Sequence, residues 1–226
     1  MFIKDLLFPK HCVLCGLLGS FICQHCQKQC VFVSKDTCFY CRKGSFLGLT
    51  HKKCKRSNGV DGFLNVFNYN HAMKQLIKKV KYEQAHEVLD EMFLVYGKNI
   101  IDQFIKIRLT EQSFLISPLP LSKERLRQRG FNQAEKIAKK LSKWTGGNVG
   151  NFIERRINTK PQASLKSRKD RYQNVRGSFT PISILRGKVC VLVDDVVTSG
   201  ATAREAVKAL KIGGAGNVYV FSLAKG

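Results

Sequence analysis

The stretch that most restricts the fold is Val189-Cys190-Val191-Leu192-Val193-Asp194-Asp195-Val196-Val197-Thr198-Ser199-Gly200-Ala201-Thr202. Its first five residues are apolar and mostly β-branched, the pattern of a short strand buried on both faces of a parallel sheet. Asp194 and Asp195 then arrive at the strand's C-terminal end, where ligands sit in an open α/β sheet. Thr198, Ser199, Gly200, Ala201 and Thr202 form a small, hydroxyl-rich turn that opens a helix over about residues 203–212. Free backbone N–H groups and the positive end of the helix make such a turn an anion cradle. Carboxylates repel phosphate, so Asp194 and Asp195 are assigned to the hydroxyls of a sugar diol or to a divalent cation. Cradle and acids together ask for a phosphorylated sugar. The competing reading of the acids is a solvated strand end or a lone Mg²⁺ site.

Other phosphate motifs fit worse. The chain has no G-x-x-x-x-G-K-[ST], and the turn carries no Lys, which argues against a nucleoside-triphosphate loop. Gly213-Gly214-Ala215-Gly216 falls at the end of a helix and reads as a C-cap, not a dinucleotide loop.

The rest of the pattern fits the same architecture. Residues 62–69 alternate like a strand, and Met73, Leu76, Ile77 and Val80 follow at helical spacing. A second helix is expected over about 83–105, a strand at 114–117 stopped by Pro118 and Pro120, and a helix over about 132–144. A last strand is expected at 217–223. Strands alternating with helices predict an α/β fold with a mostly parallel sheet covered on both faces.

Eight of the nine cysteines precede residue 55. They form Cys12-x-x-Cys15, Cys23-x-x-Cys26 and Cys38-x-x-Cys41, and His51-x-x-Cys54 supplies a fourth pair with one imidazole. Two such knuckles complete a tetrahedral Zn²⁺ shell. The short gaps favour Cys12, Cys15, Cys23 and Cys26 as one structural site and Cys38, Cys41, His51 and Cys54 as another, with an interleaved arrangement as the alternative. Disulfides would need an oxidising compartment, and Met1-Phe2-Ile3-Lys4-Asp5 lacks the apolar core of a signal peptide. A thioredoxin-like role would use one pair, not several in tandem. Cys30 fits neither set, His11 and His25 are read as bystanders, and Cys190 as a small core residue. The expected division is a zinc-ribbon module over 1–57, one or two zinc ions supplying much of its folding energy, and an α/β domain over 58–226.

Charge points to a larger partner. The net charge is +23. Residues 1–60 hold ten Lys/Arg against two Asp/Glu, residues 61–117 balance at seven each, and residues 118–176 hold sixteen against four. An enzyme for a small anion needs only a few cations in its cleft, so the excess suggests a polyanion, most simply nucleic acid. Solubility is the bland alternative. Among aromatics of the basic zones, Phe39, Tyr40 and Tyr172 are expected to be exposed and able to stack on unpaired bases. No window of 18 or more apolar residues exists, so no membrane insertion is expected.

The 189–202 stretch resembles the phosphoribosyl-pyrophosphate (PRPP) signature of type I phosphoribosyltransferases. The resemblance implies that Asp194 and Asp195 bind the ribose 2′- and 3′-hydroxyls, with Mg²⁺ accompanying PRPP, while Thr198, Ser199, Gly200, Ala201 and Thr202 wrap the 5′-phosphate. Purine-salvage members carry an Asp where this chain has Thr198, a residue that cannot titrate near neutral pH. Residues 117–134, from Ser117-Pro118-Leu119-Pro120 through Arg129-Gly130-Phe131-Asn132-Gln133-Ala134, resemble a stretch of the ComF competence family. So does Arg156-Ile157-Asn158-Thr159-Lys160-Pro161-Gln162 with Leu165, Arg168, Arg171, Asn174, Val175, Arg176 and Phe179. With the cysteine pairs and the PRPP signature, the resemblance to this family of zinc-ribbon phosphoribosyltransferase-like proteins spans nearly the whole chain.

That resemblance implies a loop after the 114–117 strand presenting Lys123, Arg125, Arg127 or Arg129 to pyrophosphate, with Arg125 and Arg129 joining Asp194 and Asp195 as candidate catalytic residues. It also implies a flexible basic lid containing Arg156, Lys160, Arg168, Arg171 and Arg176, whose alternative role is a nucleic-acid arm. The expected function is a cytoplasmic competence protein that binds PRPP and single-stranded DNA and partners a DNA-translocating helicase. Active phosphoribosyl transfer to an unread acceptor is the alternative, and a PRPP-sensing regulator a weaker third.

Overall fold

The computed structural model describes residues 9–81, 85–157 and 167–226. Seven strands and seven α-helices follow in chain order among them. The N-terminal cysteine segment contains one α-helical turn, α1 (Gln24–Gln27), and two 3₁₀ turns, Phe46–Gly48 and Lys52–Cys54. Strand β1 (Gly62–Asn68) leads into α2 (His71–Val80) and α3 (Ala85–Ile105). Strand β2 (Phe114–Pro118) is followed by α4 (Lys123–Arg129), α5 (Gln133–Thr145) and the short β3 (Asn148–Val149). Then come β4 (Ile153–Arg155), α6 (Arg168–Val175), β5 (Phe179–Pro181), β6 (Val189–Val197), α7 (Ala201–Ile212) and β7 (Val218–Lys225).

Five strands form one parallel sheet in the order β1-β7-β6-β2-β3, and β4 and β5 make a separate antiparallel pair. The expected parallel sheet is therefore present, and the period of two explains why its central strands are apolar throughout. Val191 and Val193 of β6 enter one core with Phe114 and Ile116 of β2, Phe221 and Leu223 of β7, and the apolar faces of α2, α3 and α5. Cys190 and Leu192 enter the opposite core with Leu115, Val218, Val220 and the Ala203, Ala206, Val207 and Leu210 face of α7. With helices on both faces, neither set of side chains meets water. Cys190 is fully buried, as its place in the run requires.

Strand β6 outlasts its neighbour. Pro118 of β2 stands opposite Val193, whereas β6 and β7 stay paired from Cys190–Val218 to Val197–Lys225. From β6 the chain runs through α7 to β7 on one side; from β2 it runs through α5 to β3 on the other. The connections part between β2 and β6, and this reversal of direction opens a crevice at the carboxyl ends of both strands.

Two boundaries move. The acids lie within β6, which continues four residues beyond the expected end at Val193, because β7 keeps supplying hydrogen-bond partners there. Helix α7 starts at Ala201, not Ala203, since Gly200 takes the left-handed conformation at its N-cap. The expected loop at 123–129 is a helix capped by the Ser122 side chain, which accepts from Arg125 N. The segment expected to be a flexible lid includes the helix α6, capped by Ser167, while Lys160 lies outside the described residues.

The cysteine segment wraps the β1 edge of the sheet. Asn68 N donates to Val31 O and Val33 N to Val66 O, with Phe32 bridged to Phe67, so β1 is not an open edge. Phe21, Ile22 and Cys30 join the core beneath α2 and α3. A carboxylate fixes this docking: Glu91 on α3 accepts from Phe21 N at 3.0 Å and Ile22 N at 2.6 Å. Replacing it leaves two amides of a packed segment without an acceptor. We expect Glu91→Ala to cost about 1–3 kcal/mol in urea unfolding, with Glu91→Gln recovering part of the loss because its amide oxygen still accepts one bond.

Candidate functional site

The crevice between β2 and β6 is a cleft of about 650 Å³. One wall is the end of β6 and the turn to α7, contributing Asp194 and Asp195 and residues 196–203. Gly200 sits at φ +73°, open to glycine and strained for other residues, and the turn then starts a helix of 12 residues. Ser199 Oγ caps the turn by accepting from Ala201 N at 3.4 Å. The first amides of α7 thus face a cleft already lined with hydroxyls, the arrangement that holds an anion.

The acids are constrained by one another. Asp194 Oδ1 accepts from Asp195 N at 2.9 Å, and Asp195 Oδ1 from Val196 N at 2.8 Å. Lys81, just past α2, places its ammonium 3.0 Å from Asp195 Oδ2. Burial, and then the charge of Asp195, push the Asp194 carboxyl well above the usual carboxylate range, while Lys81 pulls the other way. The site therefore stores electrostatic repulsion that a diol or a cation would relieve.

Across the cleft stand Leu119, Pro120 and Leu121, then Arg125, Gln128 and Arg129 of α4, and Asn132 and Gln133 at the start of α5. Arg129 is aimed by its bond to Gln133 Oε1 at 2.9 Å, and Asn132 ties α5 back to Leu119 O at 3.0 Å. Arg155 and Arg171 complete the basic side. Burial pushes the Arg155 guanidinium down to about 10, with Arg125 adding to the effect and Asp194 opposing it. Burial also lowers Arg125, and the neighbouring Arg129 lowers it further. Four guanidinium groups at this density invite a compact, multiply charged anion.

The fold thus brings Asp194, Asp195, the whole 198–202 turn, Arg125, Arg129 and Arg171 to one cleft. Arg168 begins α6, whereas Arg156 is exposed and paired with Glu154 at 2.6 Å, and Arg176 is exposed at the C-cap of α6. Neither Arg156 nor Arg176 lines the cleft. Helical spacing puts Lys81 on the wet side of the first helix, yet the turn after α2 carries it to the acids. Arg155, which the sequence places among the basic residues of a mobile 155–176 segment, is a buried residue of β4 at the cleft. For Arg155 the alternation of β4 was the available signal: Ile153 and Arg155 share the buried side, and Arg156 is past the strand. Phe39, expected to be exposed, is 2% exposed because it packs against Phe63 and Gly200. Tyr172 is exposed as expected, and Tyr40 half-buried.

The cysteines gather as read in sequence order. The ligand atoms of Cys12, Cys15, Cys23 and Cys26 lie within 4.8 Å of one another, and so do those of Cys38, Cys41, His51 and Cys54. Cys15 and Cys23 sulfurs are 3.6 Å apart, close to the edge of a tetrahedron with bonds of about 2.3 Å. His51 directs Nδ1 to Cys41 Sγ at 3.3 Å and ties Nε2 to Gly44 O at 3.0 Å, which leaves Nδ1 for a metal. Both groups fit a tetrahedral zinc ion. Cys30 is buried apart from either group, and His11 and His25 belong to neither.

The raised Asp194 carboxyl has a measurable consequence. A carboxyl whose pKa rises on folding binds its proton more tightly in the folded state, so stability falls as pH rises from the ordinary aspartate range through the raised value. Asp194→Asn should therefore stabilise the protein at neutral pH, raising Tm by about 2–4 °C for each ~1 kcal/mol relieved, and should flatten the loss of Tm between acidic and neutral pH. Thermal unfolding across that range measures both.

The phosphoribosyl transferase domain family matches residues 127–225, which include β6, the 198–202 turn and α7 and part of the facing wall. Competence protein F of Haemophilus influenzae is 29% identical over 96% of this chain and 98% of its own. Competence protein ComFC of Bacillus subtilis is 26% identical over 90% of this chain and 84% of its own. The DNA utilization protein YhgH of Escherichia coli (strain K12) is 25% identical over 72% and 71%, respectively. The similarity to competence proteins F and ComFC covers most of the chain, the cysteine segment as well as the cleft, and joins a phosphoribosyl transferase domain to that segment.

Proposed function

We propose that this chain is a cytoplasmic competence protein that binds Mg²⁺–PRPP in the cleft and single-stranded DNA on its basic surface. One observation carries the ligand reading: an acid pair and a helix-start anion cradle line the same cleft as four arginines, Arg125, Arg129, Arg155 and Arg171. In this reading the 198–202 turn takes the 5′-phosphate, and Asp194 and Asp195 take the ribose hydroxyls. Arg125, Arg129, Arg155 and Arg171 face the pyrophosphate, and Lys81 is the resident counter-ion that the diol or Mg²⁺ displaces from Asp195. Mg²⁺ would offset pyrophosphate charge beside the acids. The DNA reading draws on the net charge of +23 and on the competence and DNA-utilization names of the relatives, and the family resemblance adds a DNA-translocating helicase as the proposed partner.

The four arginines also favour a second reading, transfer of the phosphoribosyl group to an acceptor with loss of pyrophosphate, because they sit where leaving-group charge develops. Thr198 offers no acid or base for the acceptor, so such an acceptor must be nucleophilic by itself.

Isothermal titration should give heat with Mg²⁺–PRPP for the parent protein and none for Asp194→Asn combined with Asp195→Asn. The same double variant should bind a labelled oligonucleotide in fluorescence anisotropy as well as the parent does, since removing acids adds positive charge. DNA affinity should fall with salt at a log–log slope of about −0.7 per phosphate contacted. Absence of binding at low salt sinks the DNA reading, and absence of PRPP heat sinks the ligand reading. Elemental analysis should find about two zinc ions per chain, one for each ligand group. Cys26→Ser should lose one of them and lower Tm by several degrees, because metal binding is part of folding in so small a segment.

A further inference from the structure

The phosphate-binding wall has a second side. Behind it lies a notch of about 80 Å³ lined by Tyr40, Arg42, Tyr172, Ser199, Ala201 and Arg204. Tyr40 and Arg42 come from the third cysteine knuckle, Cys38-x-x-Cys41, 156 residues from the turn in the case of Arg42 and Thr198. From this side the Arg42 guanidinium donates to the Thr198 carbonyl, and it lies over the rings of Phe39 and Phe63 at 5.9 and 5.8 Å. Phe39 closes the same contact from below. A Cβ on Gly200 would stand 2.8 Å from its ring, so the ring fills the space that a side chain at 200 would need. The knuckle therefore touches the turn twice, at Thr198 and at Gly200, while Arg42 stays out of the cleft.

Arg42 also holds φ at +63°, a backbone state open to glycine and disfavoured for residues with a β-carbon. A glycine would satisfy this knuckle with less strain. Strain kept in a residue whose side chain reaches another segment points to a use for that side chain.

We infer that Arg42 and Phe39 are positioning residues for the phosphate-binding turn, gripping it from behind so that its amides stand ready for the ligand. In a trans peptide the C=O and N–H point in opposite directions. Holding Thr198 O on the knuckle side turns the Ser199 N–H away from the knuckle. Phe39 under Gly200 restrains the next peptide of the turn. Anion binding by backbone amides gains when the amides need no reorganisation, so sugar-phosphate affinity depends on two residues that never touch the sugar phosphate. This inference rests on the proposed 5′-phosphate ligand for its affinity arm, and on the turn alone for its structural arm.

Arg42→Gly separates positioning from folding. It releases the strained φ, so Tm should stay within about 3 °C of the parent. Amide exchange across residues 198–202, measured without ligand, should rise several-fold. Affinity for Mg²⁺–PRPP should fall about tenfold or more, the scale of one lost charge-assisted hydrogen bond. The loss should persist at high salt, where a bare Coulombic effect is screened. Phe39→Leu should shift exchange and affinity the same way by less. Parent-like exchange in both variants overturns the inference, as does an affinity loss that vanishes at high salt. If the parent protein binds no PRPP, the ligand assignment fails while the exchange measurement still decides the role of Arg42.

Discussion

Strand β6 is buried on both faces, and the site exists where that burial ends. Its first five residues alternate between two apolar cores, one under α2, α3 and α5 and one under α7. Past Val193 the neighbour β2 stops at Pro118, and the chain can then afford carboxylates. Asp194 and Asp195 are therefore held by the stiffest element of the protein yet open to a crevice. The divergence of α5 and α7 to opposite faces widens that crevice and supplies both walls.

The electrostatics of the cleft follow from this placement. Two acids side by side at the edge of a core would not both stay ionised at ordinary cost, and Asp194 is pushed up accordingly. Lys81 and the cleft arginines offset the acids without occupying the turn. The result is one cleft that holds both an acid pair and four guanidinium groups. The basic excess of the whole chain is a separate matter: it is concentrated in residues 1–60 and 118–176, more cations than the cleft holds.

The cysteine segment does more than gather two sets of possible metal ligands. It seals the β1 edge, contributes Phe21 and Ile22 to the main core, and meets the 198–202 turn through Phe39 and Arg42. Ligand spacing explains the knuckles. It does not explain why an Arg should follow Cys41 in a left-handed conformation, and the contact with Thr198 does.

Much of this was legible in the chain itself. The apolar run, the acid pair, the small-residue turn and the C-x-x-C spacings are local signals, each forced by chemistry acting over a few residues. They determined the parallel sheet, the anion cradle and the grouping of metal ligands. The structure alone decided which cations share the cleft: Lys81 and Arg155 enter it, while Arg156 and Arg176 stand outside. It also decided that Phe39 is a buried support beneath Gly200 rather than an exposed stacking surface. A charged or aromatic side chain looks the same in sequence whether it faces solvent, core or ligand. Its role depends on contacts between segments far apart in the chain, and only packing sets those.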